Sequence, residues 1–364
     1  MAGTSRRLSI LVLGGTRFVG RAFVEAALAD DHRVTLFHRG QTNPGLFGAA
    51  ETVLGDRTGD LFALTGRRFD VVVDVAGYDP QVVRRSVDAL QNQVGRYVYL
   101  SSVSVLADQS TAQNEDGDLL VLDDNTAPEK TYGARKAACE RLVQDAFGAR
   151  ALLVRPGMIV GPHDPTDRFA YWPRRFARGG RILLPGDPSD LAQFIDVRDL
   201  ADWILRSVTS GLGGVFNVTG RPLPFGAFFD ACQALVSTPA PAAAPAAPPA
   251  ILAPPATVVW VSSERLIAAG VDPWMGVPLW IAAPGCEAVN RIDVSRATAA
   301  GLTTRPLART LADTLAWDTA RGGPPDGHEG LTEQEEHRLL GTPAVPGRGP
   351  RSQQVGQAAH GEHG

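Results

Sequence analysis

Short, nearly continuous apolar runs occur in the first half of the chain at 8–13, 33–37, 71–75, 97–101 and 151–154. Between them, from about position 19 and over 81–93 and 132–147, apolar residues recur with the spacing of amphipathic helices. Runs of Val, Leu and Ile without polar alternation suit strands buried on both faces, and strands alternating with helices pair in parallel. The pattern predicts an α/β protein with a Rossmann-type, doubly wound parallel sheet.

Beyond Arg155 the texture changes, because Pro156, Pro162, Pro165, Pro173, Pro185 and Pro188 break the chain into loops. Strand-like 193–197 and 215–218 then flank a helical 199–208, so regular structure resumes. The expected organisation is a dinucleotide-binding domain at 1–157, to which 191–220 returns. A smaller, mixed α/β C-terminal substrate domain is expected from 158–190 and 221–340. A Pro/Ala-rich connector at 238–256 and a disordered, Gly/Pro/Gln-rich tail at 341–364 complete it. His360 and His363 in that tail read as solvated residues rather than metal ligands.

Composition narrows the function. The 364 residues carry a formal net charge of -4, without the basic excess that holds nucleic acid, so a small-molecule substrate is expected and a nucleic-acid partner is not. Three cysteines, Cys139, Cys232 and Cys286, have neither disulfide-framework nor zinc spacing. The N-terminal apolar stretch is too short to cross a bilayer and runs straight into a glycine turn, so no membrane partner and a cytoplasmic location are expected.

That turn reads Gly14, Gly15, Thr16, Arg17, Phe18, Val19, Gly20 between a strand and a helix, the context of a dinucleotide fingerprint. Glycines permit close backbone approach to a pyrophosphate, and the helix N-terminus favours its charge. Arg17 stands where the middle glycine of the usual pattern falls. At the end of the second strand, where an NAD site offers an acid to the ribose, the chain reads His38-Arg39-Gly40. Arg39, joined by Arg17, suits the 2′-phosphate of NADP(H); NADP(H) is therefore the expected cofactor, with NAD(H) second. Asp56 is placed to cap an adenine amine, and Ala76-Gly77 to let the other half of the cofactor approach the backbone.

Tyr132-Gly-Ala-Arg-Lys136 puts a phenol and an ammonium on one helical face. The chain has 35 Lys plus Arg but only two lysines, Lys130 and Lys136, and five tyrosines. A chance Tyr-x-x-x-Lys is then expected only about three times in a hundred. A free phenol titrates near about 10 and needs a neighbouring cation to exchange protons at neutral pH. Ser102, at the end of the strand 97–101, can polarise a substrate oxygen from the carboxyl edge of the sheet.

With Tyr99-Leu-Ser-Ser-Val-Ser-Val105, Leu153-Val-Arg-Pro-Gly-Met-Ile-Val-Gly-Pro162 and Phe194-Ile-Asp-Val-Arg-Asp199, these motifs resemble the extended short-chain dehydrogenase/reductase superfamily, and within it the NAD-dependent epimerase/dehydratase group. The resemblance implies Tyr132 as catalytic acid-base, Lys136 as its activator and a ribose ligand, and Ser102 as the polarising hydroxyl. It also implies Pro156 among the cofactor contacts and a homodimer through a helix pair. The Gly-Gly-Thr-Arg-Phe variant is similar to a sub-branch that includes isoflavone-reductase-like and plastid stem-loop RNA-binding relatives. Dehydratases of the group carry Asp-Glu after the Ser/Thr, where this chain has Val103 and Ser104, which argues against water elimination. Reversible hydride transfer to a small metabolite is the leading expectation. A cofactor-retaining epimerase of a sugar nucleotide or polyol, and a non-catalytic dinucleotide-sensing or RNA-binding relative, are the alternatives. Arg174, Arg175 and Arg178 read as surface charge with a diphosphate role as the alternative, and Trp172, Trp260, Trp274 and Trp280 as core with a pocket role as the alternative.

Overall fold

The computed structural model describes residues 6–59, 61–237, 256–324 and 330–341. The Pro/Ala tract and the C-terminal tail, except Ala256 and Gly341, lie outside the described residues.

In chain order the first half comprises β1 (Ser9–Leu13), α1 (Phe18–Ala29), β2 (Arg33–His38), β3 (Glu51–Leu54), β4 (Phe69–Asp74), α2 (Pro80–Leu90), β5 (Val94–Leu100), α3 (Pro128–Phe147) and β6 (Ala151–Pro156). Then follow β7 (Met158–Val160), α4 (Tyr171–Arg178), β8 (Gly180–Pro185), β9 (Leu191–Ala192), β10 (Phe194–Asp196), α5 (Val197–Ser210), β11 (Gly214–Val218), β12 (Leu223–Pro224) and α6 (Phe225–Ser237). The last described elements are β13 (Ala256–Val261), α7 (Ser263–Ala268), α8 (Ser295–Ala299), α9 (Leu307–Ala320) and α10 (Glu333–Leu339).

Seven strands form one parallel sheet in the order β11-β6-β5-β4-β1-β2-β3. Ile10 to Leu13 and Val71 to Val73 are buried, as strands covered on both faces require. One face packs through Phe23, Leu200, Trp203 and Ile204, with α1 lying against α5. The other packs through Val83, Val87, Tyr97 and Val143, with α2 against α3. β11 joins the sheet beside β6 although it follows the proline-rich stretch. All carboxyl ends therefore open on one edge, where open α/β sheets bind ligands.

A second core gathers Trp172, Phe176, Phe228, Phe229, Trp280 and Leu311. β8 and β13 pair in parallel over six residues alongside it. Trp172 donates to Pro278 O at 2.9 Å and Trp280 to Ser263 Oγ at 3.0 Å, so both indoles are satisfied core groups. Trp260 packs on Phe229, whereas Trp274 is exposed. Of the arginines expected on the surface, Arg178 is exposed and binds exposed Glu333 as well as buried Glu336, whereas Arg174 binds Asp167 and Asp318 and Arg175 binds Glu336 in the interior. Buried Asp318 and Glu336, both far along the chain, draw Arg174 and Arg175 inward. Among the described residues, no helix is long and apolar enough to cross a membrane.

Candidate active site

The turn after β1 is shaped by what side chains cannot occupy. Gly14 and Gly15 have φ near +104° and +103°, in the region open to glycine. A Cβ on Gly15 would fall 2.9 Å from Leu36 Cδ2, and one on Gly20 2.8 Å from Gly15 Cα. Helix and strand can meet this closely only through glycine. Phe18 also takes a positive φ of 35°, while Arg17 stays extended. Asn43 Nδ2 donates to Thr16 O at 3.0 Å and ties the turn to the β2–β3 loop. The first turn of α1 leaves amides without partners inside the helix, and Val19 is buried behind them. Open backbone, free amides and the helix dipole together fit a dinucleotide pyrophosphate.

Arg39 and Asp56 are exposed at the far side of this cradle, beyond β2 and β3. His38 Nδ1 accepts from the Gly40 amide at 3.0 Å and shapes the loop that presents Arg39. The Thr58 amide and hydroxyl donate to Asp56 at 2.9 and 2.8 Å, and these bonds, with Arg39 nearby, hold its carboxyl below the usual range. Arg17 has an extended backbone just before α1, and its charge acts on Tyr78.

At the other end, Ser102 follows β5 and Tyr132 and Lys136 share α3. A Cβ on Gly133 would lie 2.0 Å from Ser104 O, so glycine at this position lets α3 touch the segment that carries Ser102. The Ser102 hydroxyl faces that of Tyr132 closely enough to favour its ionised form, against the larger effect of burial. The Ser102 hydroxyl lies 3.0 Å from that of Ser104 and accepts from the Ser104 amide at 3.1 Å. The Tyr132 ring is 43% exposed, but desolvation of its hydroxyl, with Tyr78 beside it, pushes the phenol up to about 12.

Lys136 is buried, and its ammonium donates to Leu100 O at 2.7 Å and Gly77 O at 2.8 Å. It lies 4.6 Å from the Tyr78 ring centre and 4.9 Å from that of Tyr99. Burial pushes it down to about 8 against the opposing pull of Asp74. Gly77 thus takes part through its carbonyl, and Ala76 donates its amide to Asp74 at 3.1 Å. Pro156 ends β6 on the same sheet edge.

Tyr78, Asp74 and Arg57 belong to this cluster although the motifs did not name them. The aromatic directly after Ala76-Gly77 was the available signal for Tyr78; Arg57 and Asp74 meet only through the fold. Among the described residues, no group of three or more His, Cys, Asp or Glu is arranged for a metal.

A parallel Rossmann sheet with a glycine cradle at one end and a Ser/Tyr/Lys cluster at the other defines an enzyme of the short-chain dehydrogenase/reductase type. The chain belongs to the NAD dependent epimerase/dehydratase family, whose model matches residues 10–219. It is 30% identical over 251 residues to dTDP-4-dehydro-6-deoxy-D-allose reductase of Streptomyces bikiniensis, covering 58% of this chain and 76% of that one. It is 26% identical over 237 residues to the chloroplast stem-loop binding protein of 41 kDa b of Arabidopsis thaliana; the match covers 60% of this chain and 60% of that relative's length. The fold is shared with UDP-glucuronic acid 4-epimerase from Bacillus cereus in complex with NAD, with a TM-score of 0.59, 15% identity, and coverage of 86% of this chain and 99% of that one. It is also shared with the Bordetella bronchiseptica enzyme WbmG in complex with NAD and UDP, with a TM-score of 0.61, 19% identity, and coverage of 88% and 97%.

Proposed function

We propose that this enzyme transfers a hydride between NADP(H) and a carbonyl or hydroxyl carbon of a small metabolite, with Tyr132 as the acid-base. The observation that carries the reading is the close seating of α3 on the segment after β5, which brings Tyr132 and the buried Lys136, one helical turn apart, beside Ser102. Gly14, Gly15, Thr16 and Gly20, with the first amides of α1, would hold the pyrophosphate; Arg39 and Asp56 would take the adenosine end, and Lys136 the nicotinamide ribose. The nicotinamide supplies or accepts the hydride. Ser102 donates a hydrogen bond to the substrate oxygen and fixes it beside Tyr132. In reduction Tyr132 gives its proton to that oxygen, and Lys136 stabilises the phenolate left behind. NADP(H) is preferred because Arg39 can pair with a 2′-phosphate, and NAD(H) is the second cofactor.

Net reduction is favoured over cofactor-retaining epimerisation by the similarity to the Streptomyces bikiniensis reductase. RNA binding, suggested by the chloroplast relative, is disfavoured by the net charge of -4. A cytoplasmic homodimer belongs to the same proposal. The test is to identify the nucleotide that copurifies and then follow nicotinamide absorbance across a panel of carbonyl compounds and sugar nucleotides. Turnover of added NADPH supports the reading; cofactor retention with inversion of substrate supports the epimerase, and retention of structured RNA on a filter the regulator.

A further inference from the structure

Asp56 and Arg57 are neighbours on the loop after β3, yet they face opposite ways. Asp56 is exposed, whereas the Arg57 side chain is 12% exposed and meets the fully buried Asp74. Its two terminal nitrogens donate to the two Asp74 oxygens at 2.6 and 2.7 Å, and one also donates to Ser86 Oγ at 3.0 Å. Tyr97 donates to Asp74 at 2.8 Å. The Ala76 amide bond to Asp74 closes the turn after β4, and the next carbonyl, Gly77 O, accepts from Lys136 and from Tyr99 at 2.7 Å.

We propose that Arg57 is a positioning residue for Lys136, acting through Asp74 and the Asp74–Gly77 turn. The inference rests on the proposed function, which gives Lys136 its task. Because Asp56 and Arg57 share one short loop, it also links the adenosine end of the cradle to the ammonium at the other end.

Lys136 is faced by Asp74 from β4, Tyr78 from the following turn, Tyr99 from β5, Arg57 from the β3 loop, and Cys139 and Glu140 from its own helix. Asp74 is faced by Arg57, Tyr97, Tyr78 and Lys136. Asp74 strengthens the hold of Lys136 on its proton, and Arg57 weakens it. A merely structural ion pair would affect stability when broken. This one also sets the charge state of the lysine.

The two-lysine composition gives a readout that needs no substrate. In the full chain carrying lysine labelled at Cε, NMR yields two signals, with exposed Lys130 as internal reference. In Arg57→Gln, which can still hydrogen-bond Asp74, the Lys136 midpoint should rise by about one pH unit or more, since Asp74 loses its main counter-ion. In Arg57→Gln/Asp74→Asn, which removes both buried charges, it should fall below the wild-type value, because the larger pull of Asp74 is lost. The double variant also covers the case in which an unpaired Asp74 unfolds the single one. An unmoved Lys136 midpoint in a folded variant overturns the proposal. A moved midpoint without nicotinamide-linked turnover keeps the coupling and fails the proposed function; turnover with an unmoved midpoint does the reverse.

Discussion

The Lys136 ammonium lies 2.8 Å from the carbonyl oxygen of Gly77, and this bond joins α3 to the turn at the carboxyl end of β4. With the bond to Leu100 O, two of its three hydrogens are committed to strand ends. The third serves a ligand in the proposed function. The same anchoring buries the charge, and this burial pushes Lys136 below the ordinary lysine range, to about 8.

The pH dependence follows from two groups. Lys136 sits at about 8 and Tyr132 at about 12, both protonated at neutral pH. Raising the pH through 8 removes the ammonium while the phenol still holds its proton, so reduction loses its phenolate support first. We expect kcat/KM for reduction to be level below pH 7.5 and to fall about tenfold per unit above about 8. A pH profile level to pH 10 contradicts the role of Lys136.

Gly133 sets the approach of α3 to Ser104. Gly133→Ala would place a Cβ 2.0 Å from a backbone oxygen, so helix or turn must shift and Tyr132 must move relative to Ser102. A misplacement of this size costs about a hundredfold in rate. We expect that loss in kcat with cofactor affinity within about threefold of wild type, measured by steady-state kinetics and fluorescence titration.

In the proposed function Arg39 decides the cofactor. Hydrogen bonds to charged groups contribute about 1.5–3 kcal/mol, so wild type should bind NADPH about ten- to a hundredfold more tightly than NADH. Arg39→Asp should erase or reverse that preference. Equal or tighter NADH binding by wild type, measured by titration, would show Arg39 pointing to solvent and leave hydride transfer standing.

Arg155 and Glu140 form a bidentate pair at 2.7–3.2 Å, both at most 3% exposed, one turn beyond Lys136 on α3. Arg155 also donates to Glu115 O at 3.0 Å. Arg155→Met strands the Glu140 charge and should lower the unfolding free energy by about 3–5 kcal/mol in urea denaturation. A loss under 1 kcal/mol would show that water reaches Glu140.

The central sheet was legible because its strands are unbroken apolar runs: 8–13 contains β1, and 97–101 overlaps β5. Tyr132 and Lys136 were legible because one helix carries both. Arg57 and Asp74 were not, since a contact across 17 positions leaves no local pattern. The same holds for Arg175, whose partner Glu336 is 161 residues away. Tyr78 was hidden for another reason: an exposed aromatic after a glycine reads as a turn until Lys136 lies under its ring.

The Tyr132 proton is the centre of the proposed chemistry. The measurement is NADPH affinity and NADPH-dependent carbonyl turnover of wild type beside Tyr132→Phe. Phenylalanine keeps the ring and leaves Lys136 and the glycine cradle in place, so affinity should stay within about threefold while turnover falls about a hundredfold or more. A Tyr132→Phe enzyme that turns over at the wild-type rate contradicts the account.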